Sequence, residues 1–221
     1  MLFRSFWGML RREWRFANSI LVTAGTMLLI SLWVFGVADH INYLRVLTYL
    51  SQHGESYYPN QSVNGLLHRL FLIGTEATVS PFTFPPYNPW VYAGTLVSSM
   101  LFIVIALFWK RGHHEHTEVT DFAIAALSFT MASPIAWEHH YSVLLPMFAV
   151  ALPMTWASRL KHQGTALMAV SFVLASNYYQ ITNFLANTPF NFLQSYLFFG
   201  ALLLFHLYRL RNAQQPDTHS A

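Results

Sequence analysis

No cysteine occurs anywhere in the 221 residues, so disulfides and thiolate chemistry are excluded and the chain carries no redox signature. Charge is almost as scarce. Asp, Glu, Lys and Arg together make up 10% of the sequence, against about 25% in ordinary soluble domains. No internal repeat, low-complexity tract or separate soluble domain interrupts it, which excludes a repeat architecture. What is abundant is apolar: 54% of residues are hydrophobic and 17% aromatic. Such a balance suits a chain whose solvent is lipid.

Crossing ~30 Å of hydrocarbon takes about 20 apolar residues at 1.5 Å per helical residue. Six windows qualify or come close: Phe16–Val37, Val91–Trp109, Phe122–Ile135, Tyr141–Trp156, Thr165–Ile181 and Phe192–Tyr208, the third being short. Each is expected to be a helix, because a helix satisfies its own backbone in lipid. The first follows Arg4, Arg11, Arg12 and Arg15, but its apolar run is too long for a signal peptide and no small-residue cleavage site follows. If six helices alternate, these arginines share one side with Lys110, Arg111, Arg159, Lys161, Arg209 and Arg211, and only Arg45 and Arg69 fall on the other. The positive-inside rule makes the crowded side cytoplasmic. The expectation is an all-α integral membrane protein of about six transmembrane helices over residues 1–211. It sits in the cell inner (plasma) membrane with both termini cytoplasmic, and residues 212–221 form a disordered cytoplasmic tail.

This topology leaves a large outer loop at residues 38–90, too apolar and aromatic for disorder. Within it Val63, Leu66, Leu67, Leu70 and Phe71 repeat at helical spacing, predicting an interfacial amphipathic helix with Ser62 as N-cap. Pro81 to Pro89 cannot continue a helix and is expected to pack as an aromatic loop. Later, "ASPIAWEHHYSVLLPM" stops one helix at Ser133-Pro134 and opens another near Trp137.

That second stretch places Glu138, His139 and His140 at a helix N-terminus, where free N–H groups favour an anion such as phosphate. Two imidazoles can donate to it and a carboxylate can take a proton. A solvated helix end is the competing reading, favoured for a single such residue, and three in a row weigh against it. In "HGESYYPNQSVNGLLHR", Glu55, Tyr57, Tyr58, Asn60, Gln61, Asn64, His68 and Arg69 gather amides, phenols and charges suited to a many-hydroxyl ligand. An ordinary polar loop with a capping residue is the competing reading, and Asn60-Gln61-Ser62 also matches a glycosylation sequon. "GHHEHTE", Gly112 to Glu118, reads as a solvated cytoplasmic loop rather than a metal site, and no metal is assigned.

Taken together, "YLSQHGESYYPNQSVNGLLHRL" and "SPIAWEHHYSVLLP" resemble glycosyltransferase family 87, bacterial membrane proteins that include polyprenol-phosphate-mannose-dependent mannosyltransferases. The resemblance covers nearly the whole chain. It implies a C-type glycosyltransferase bundle that takes a hexosyl group, mannosyl in the named members, from a polyprenyl-phosphate-linked donor at the outer membrane face. The acceptor would be a glycan or glycolipid. Members are usually near twice this length, so the chain looks like a C-terminal portion without the acidic first outer loop, an incomplete and inactive fragment unless another chain supplies the missing half. The motif positions carried over are Asn60, Gln61, Ser62, Ser133, Pro134, Trp137, His139 and His140.

Displacing a polyprenyl phosphate from an anomeric carbon needs a carboxylate for the acceptor proton and donors for the leaving phosphate. Glu138, with His139 and His140, forms the candidate catalytic group, and Arg69 is a further donor candidate. Asp39 and Glu55 are the alternative outer carboxylates. Glu55, Tyr57, Asn60, Gln61, Asn64, His68, Arg69, Ser133 and Trp137 are the candidate substrate-binding residues. Beyond the bilayer and these substrates no cofactor or nucleic-acid partner is expected. A carrier or flippase for a lipid-linked or small polar substrate, or a catalytically silent accessory protein, would also fit the composition.

Overall fold

The computed structural model describes residues 2–71, 84–109, 117–156 and 161–213. Most of "GHHEHTE", the start of the proline-rich loop and the tail beyond Ala213 lie outside the described residues. The described residues form eight α-helices joined by turns and short 3-10 segments, with no strand among them. They run as α1 Leu2–Leu10, α2 Trp14–His53, α3 Val63–Phe71, α4 Pro89–Phe108, α5 Thr117–Met131, α6 Leu144–Trp156, α7 Lys161–Ala175 and α8 Tyr196–Ala213. Helix α4 begins at Pro89, two residues before the Val91 of the expected span, and takes in the last residue of the expected aromatic loop. Asn88 accepts from the N–H groups of Trp90 (2.9 Å) and Val91 (3.3 Å), and Pro89 occupies the first turn, where no N–H is needed.

Among the described residues, three stretches are long and apolar enough to cross a membrane: Trp14–His53, Pro89–Phe108 and Asn191–Leu210. Helices α5, α6 and α7, counted as spans in the sequence reading, have 15, 13 and 15 described residues. At 1.5 Å per residue they reach only about 20–23 Å. The fifth window also ends early, at Ala175 rather than Ile181, because "SNYYQ" turns the chain into a 3-10 segment, Gln180–Leu185.

Helix α2 corrects the boundary of the outer loop, since residues 38–53 continue the helix instead of starting the loop. The continuation passes through a break at Gly36, whose φ of 75° and ψ of 167° are not helical. His40 ties the break together, its Nδ1 lying 2.6 Å from the Gly36 carbonyl and its Nε2 3.0 Å from Ser31 Oγ. Apart from Ala17 the helix is not buried, and beyond Phe16, which packs on Trp7 and Phe122, most of its Leu, Val, Ile and Phe side chains face outward as a lipid-exposed span requires.

The core lies where α5, α6 and α8 pack, around Ile124, Leu127, Met131, Leu144, Met147, Leu204 and Leu207. Ala123 and Ala126 on α5 belong to it, and small residues let helix backbones approach closely in a lipid environment. At the end near α1, Arg11 grips Asp121 through two bonds of 2.7 and 3.1 Å. It also donates to the carbonyls of Leu107 and Trp109, capping the free C-terminal carbonyls of α4. At the opposite end of α4 and α5, the two sequence motifs meet.

Candidate functional site

Loop 54–62 turns at Gly54, whose φ of 64° suits glycine, and a Cβ there would fall 1.9 Å from Asn64 Oδ1. The loop then runs antiparallel to residues 134–137, forming a single bridge between Asn60 and Trp137. Gln61 N–H donates to Ala136 O at 2.8 Å, and Asn60 Oδ1 accepts from Ala136 N–H at 3.0 Å. Asn60 Nδ2 donates to Glu55 O at 2.8 Å and to Pro134 O at 3.3 Å. Ser62 Oγ donates to Pro134 O at 2.8 Å and accepts from Gly65 N–H at 3.1 Å, the N-cap geometry expected for α3. Two motifs about sixty residues apart are thus one hydrogen-bonded unit.

Helix α3 packs Val63 and Leu66 against the core and also buries its polar side. Asn64, His68 and Arg69 are buried, whereas Leu70 and Phe71 are exposed. Much of its polar face is bonded internally, His68 Nδ1 and Arg69 Nη1 being buried without a partner among the described residues: Asn64 Oδ1 accepts from Glu55 N–H at 3.0 Å, and Asn64 Nδ2 donates to Thr95 Oγ1 at 3.1 Å. Gln61 donates to the carbonyls of Tyr58 (2.7 Å) and Gln194 (2.8 Å). His68 Nε2 lies 2.8 Å from the His53 carbonyl, and burial lowers the imidazole to about 4, so it is neutral at physiological pH and donates through Nε2–H. Arg69 is fully buried, bonding Ser195 Oγ through Nε and Nη2 and Asn60 O through Nη2 at 2.9 Å. Burial lowers its guanidinium to about 9, which leaves it charged at neutral pH. Five of the nominated substrate-binding residues, Asn60, Gln61, Asn64, His68 and Arg69, therefore lie inside the protein holding backbone and side chains together.

Glu55 accepts a 2.5 Å hydrogen bond from the indole Nε1–H of Trp137. Burial pushes its carboxyl above the ordinary value, and this bond works the other way. Ser133 donates to Ile135 O at 2.6 Å, closing the turn before the bridge.

The catalytic candidates divide. Glu138 and His139 line a cavity of about 490 Å³ between the start of α6, the end of α7 and the start of α8. His140 does not line it. Its Nδ1 instead accepts from Trp137 N–H at 2.9 Å, capping the 3-10 turn Glu138–Val143 that leads into α6. Desolvation and the neighbouring His139 lower the His140 pKa, in keeping with that accepting role. Burial raises the Glu138 carboxyl, with the Tyr196 hydroxyl beside it acting in the opposite direction. Glu138 Oε1 and Tyr196 OH are buried with no fully formed hydrogen bond.

The cavity is amphipathic. Glu138, His139, Asn177 and Tyr178 line it together with the apolar side chains of Leu145, Phe148 and Phe172, of which Leu145 is 73% exposed. Asn177, Tyr178, Tyr196 and Ser142 were not anticipated as site residues. For Asn177 and Tyr178 the signal in the sequence is "SNYYQ", a polar and aromatic interruption inside an apparently continuous span; Ser142 and Tyr196 carry none. Asp39 lies in a different cavity of about 300 Å³ on α2, with Ser31, Phe35, His40 and Tyr43. No group of three or more His, Asp or Glu residues placed to hold a metal ion occurs among the described residues.

No curated protein and no solved structure matches the chain. The family model described as glycosyltransferase family 87 matches residues 2–134. The match takes in the loop 54–62 motif and stops at the Ser133-Pro134 turn, short of the cavity and of the whole-chain extent implied by the two motifs. It covers more than half of the chain, and the chain belongs to glycosyltransferase family 87.

Proposed function

We propose that this chain transfers a hexosyl group, mannosyl by family resemblance, from a polyprenyl-phosphate-linked donor to an acceptor hydroxyl at the outer face of the membrane. Family membership supports glycosyl transfer. The observation that carries the lipid-linked donor is the cavity, in which a carboxylate and an imidazole share one space with exposed apolar side chains. A soluble sugar nucleotide has no use for the Leu145, Phe148 and Phe172 surface. An isoprenoid chain does, since each buried methylene contributes about 0.8 kcal/mol.

In this reading Glu138 is the base. The acceptor oxygen attacks the anomeric carbon as its proton passes to the Glu138 carboxylate, and the bond from that carbon to the phosphate oxygen breaks with its electron pair leaving on the phosphate. His139 and the Tyr196 hydroxyl are the donors for the charge that develops there. A carboxyl raised by burial has a pKa closer to the working pH, which favours a general base. Asn60, Gln61, Ser62 and Arg69 act indirectly, by holding the motif bridge that carries Trp137 and the turn after it.

The test is transfer of labelled hexose from a polyprenyl-phosphate donor by membranes containing the chain. Glu138→Gln is expected to lower turnover by about 10²-fold or more, the scale of general-base catalysis. Donor movement across vesicles without transfer, unaffected by Glu138→Gln, would support a carrier instead.

A further inference from the structure

We infer that Tyr57, Tyr58 and Tyr178, with Asn183, form a carbohydrate subsite beside the cavity that receives the acceptor as a neutral sugar ring. The inference rests on the transferase reading and deepens it by naming the acceptor class and its location.

Tyr178 belongs to both places, as part of the cavity wall and as the end of a ladder of rings. The Tyr58 and Tyr178 rings lie 5.6 Å apart at 35°, and Tyr57 meets Tyr58 edge-on at 4.7 Å. The ladder joins the motif loop to the segment after α7, two parts of the chain that nothing in the sequence connects. Tyr57 and Tyr58 are half-buried, whereas Tyr178 is 39% exposed. The rings are therefore held in place while keeping accessible surface.

Aromatic residues at the end of a membrane protein ordinarily form a belt, each ring on its own at headgroup depth with its polar group toward water. Here the hydroxyls converge. Tyr178 and Tyr57, together with burial, raise the Tyr58 phenol above its ordinary value. Tyr178 OH also accepts from Asn183 Nδ2 at 3.2 Å, and Asn183 Oδ1 accepts from Gln194 Nε2 at 3.0 Å. A side-chain network thus fixes the orientation of the rings, leaving little to be ordered on binding.

The chemistry of this surface is that of a sugar. Ring faces match the C–H faces of a pyranose, and phenols and amides give and accept for its hydroxyls. Tyrosine does both at small entropic cost because its side chain is rigid. None of the four residues is charged, and the carboxylate of Glu138 in the adjoining cavity disfavours an acidic sugar. A neutral hexose with one hydroxyl reaching into the cavity fits both constraints.

The experiment is saturation-transfer NMR on the purified full chain in detergent, without donor, using methyl hexosides of gluco, galacto and manno configuration as probes. At least one is expected to receive saturation from the aromatic protons. Tyr178→Ala is expected to weaken that binding about tenfold or more, the scale of an aromatic hot spot. Tyr178→Phe keeps the ring and is expected to retain most of the binding, and Tyr43→Ala on α2 all of it. Two results would overturn the subsite: no saturation of any probe by folded wild-type protein, or equal saturation by wild type and Tyr178→Ala. Because no turnover is measured, the two ideas separate. Sugar binding without transfer activity leaves the subsite standing and removes the proposed reaction, whereas transfer activity without sugar binding does the reverse.

Discussion

Trp137 and Glu55, 82 residues apart in sequence, meet through a 2.5 Å hydrogen bond from the indole Nε1–H to the carboxylate Oε2. The bond lies beside the Asn60 to Trp137 bridge and closes the loop over the turn that begins the second motif. Burial raises the Glu55 pKa above its ordinary 4.5, so the folded chain holds this proton more tightly than the unfolded chain does. The stability this adds is fully present below pH 4.5 and is lost as the pH rises through the folded value. Thermal unfolding in detergent across that window is expected to show wild type losing ground to Glu55→Gln as the pH rises. Parallel curves would show that Glu55 does not couple to folding.

Asn60 serves three backbone groups from a fully buried position, and its own carbonyl accepts from Arg69. Asn60→Ala strands the Ala136 N–H and the Glu55 carbonyl. It is expected to destabilise by about 2–4 kcal/mol, since each buried unsatisfied group costs about 1–3 kcal/mol. If Asn60 acts only by holding the bridge, activity per folded molecule stays near wild type. Activity lost from fully folded Asn60→Ala would assign the residue to substrate instead.

At the other end of the molecule, Arg11 partners the buried Asp121. Removing one member of such a pair leaves a charge buried, so Arg11→Ala is expected to cost about 3–5 kcal/mol. Arg11→Ala with Asp121→Ala is expected to cost less than the two single changes added together. Strict additivity in denaturant titrations would show that the pair is not coupled.

His139 lines the cavity and His140 caps the turn. His139→Ala is expected to lower turnover by about 10²-fold with little change in KM, as for loss of one donor to a developing oxyanion. His140→Ala is expected to shift unfolding more than turnover. Equal losses of turnover from both variants would place both imidazoles at the reacting phosphate.

A base must be deprotonated to work, and burial raises the Glu138 carboxyl. Transfer rates are therefore expected to fall as the pH drops through that raised value, with an acid limb displaced upward from an ordinary carboxylate's. Glu138→Gln is expected to lower the rate and remove the limb. A limb that survives in Glu138→Gln would assign it to another group.

The sequence by itself determined the class of the protein. A chain with 10% charged residues and repeated apolar windows has no economical folded form except helices in an apolar solvent. Pairing "PNQS" with "SPIAWEHH" pointed to the family, and Ser62 and Pro134 marked local boundaries that depend only on capping and proline sterics. Tertiary structure decided which polar residues are free to act. Asn60, Gln61, Asn64, His68 and Arg69 look like ligand contacts in the sequence, because amides and charges near a membrane surface suit a sugar. In the fold they meet the carbonyls and N–H groups left open by loop 54–62 and the turn at Pro134, and a buried polar group binds whatever partner it can reach. Conversely Tyr178 and Asn177, hidden inside an apolar window, became cavity residues when α7 ended at Ala175 and the following turn swung toward Glu138. Periodicity reports what a residue prefers as its solvent, and only packing between distant segments determines whether that solvent is lipid, backbone or a cavity.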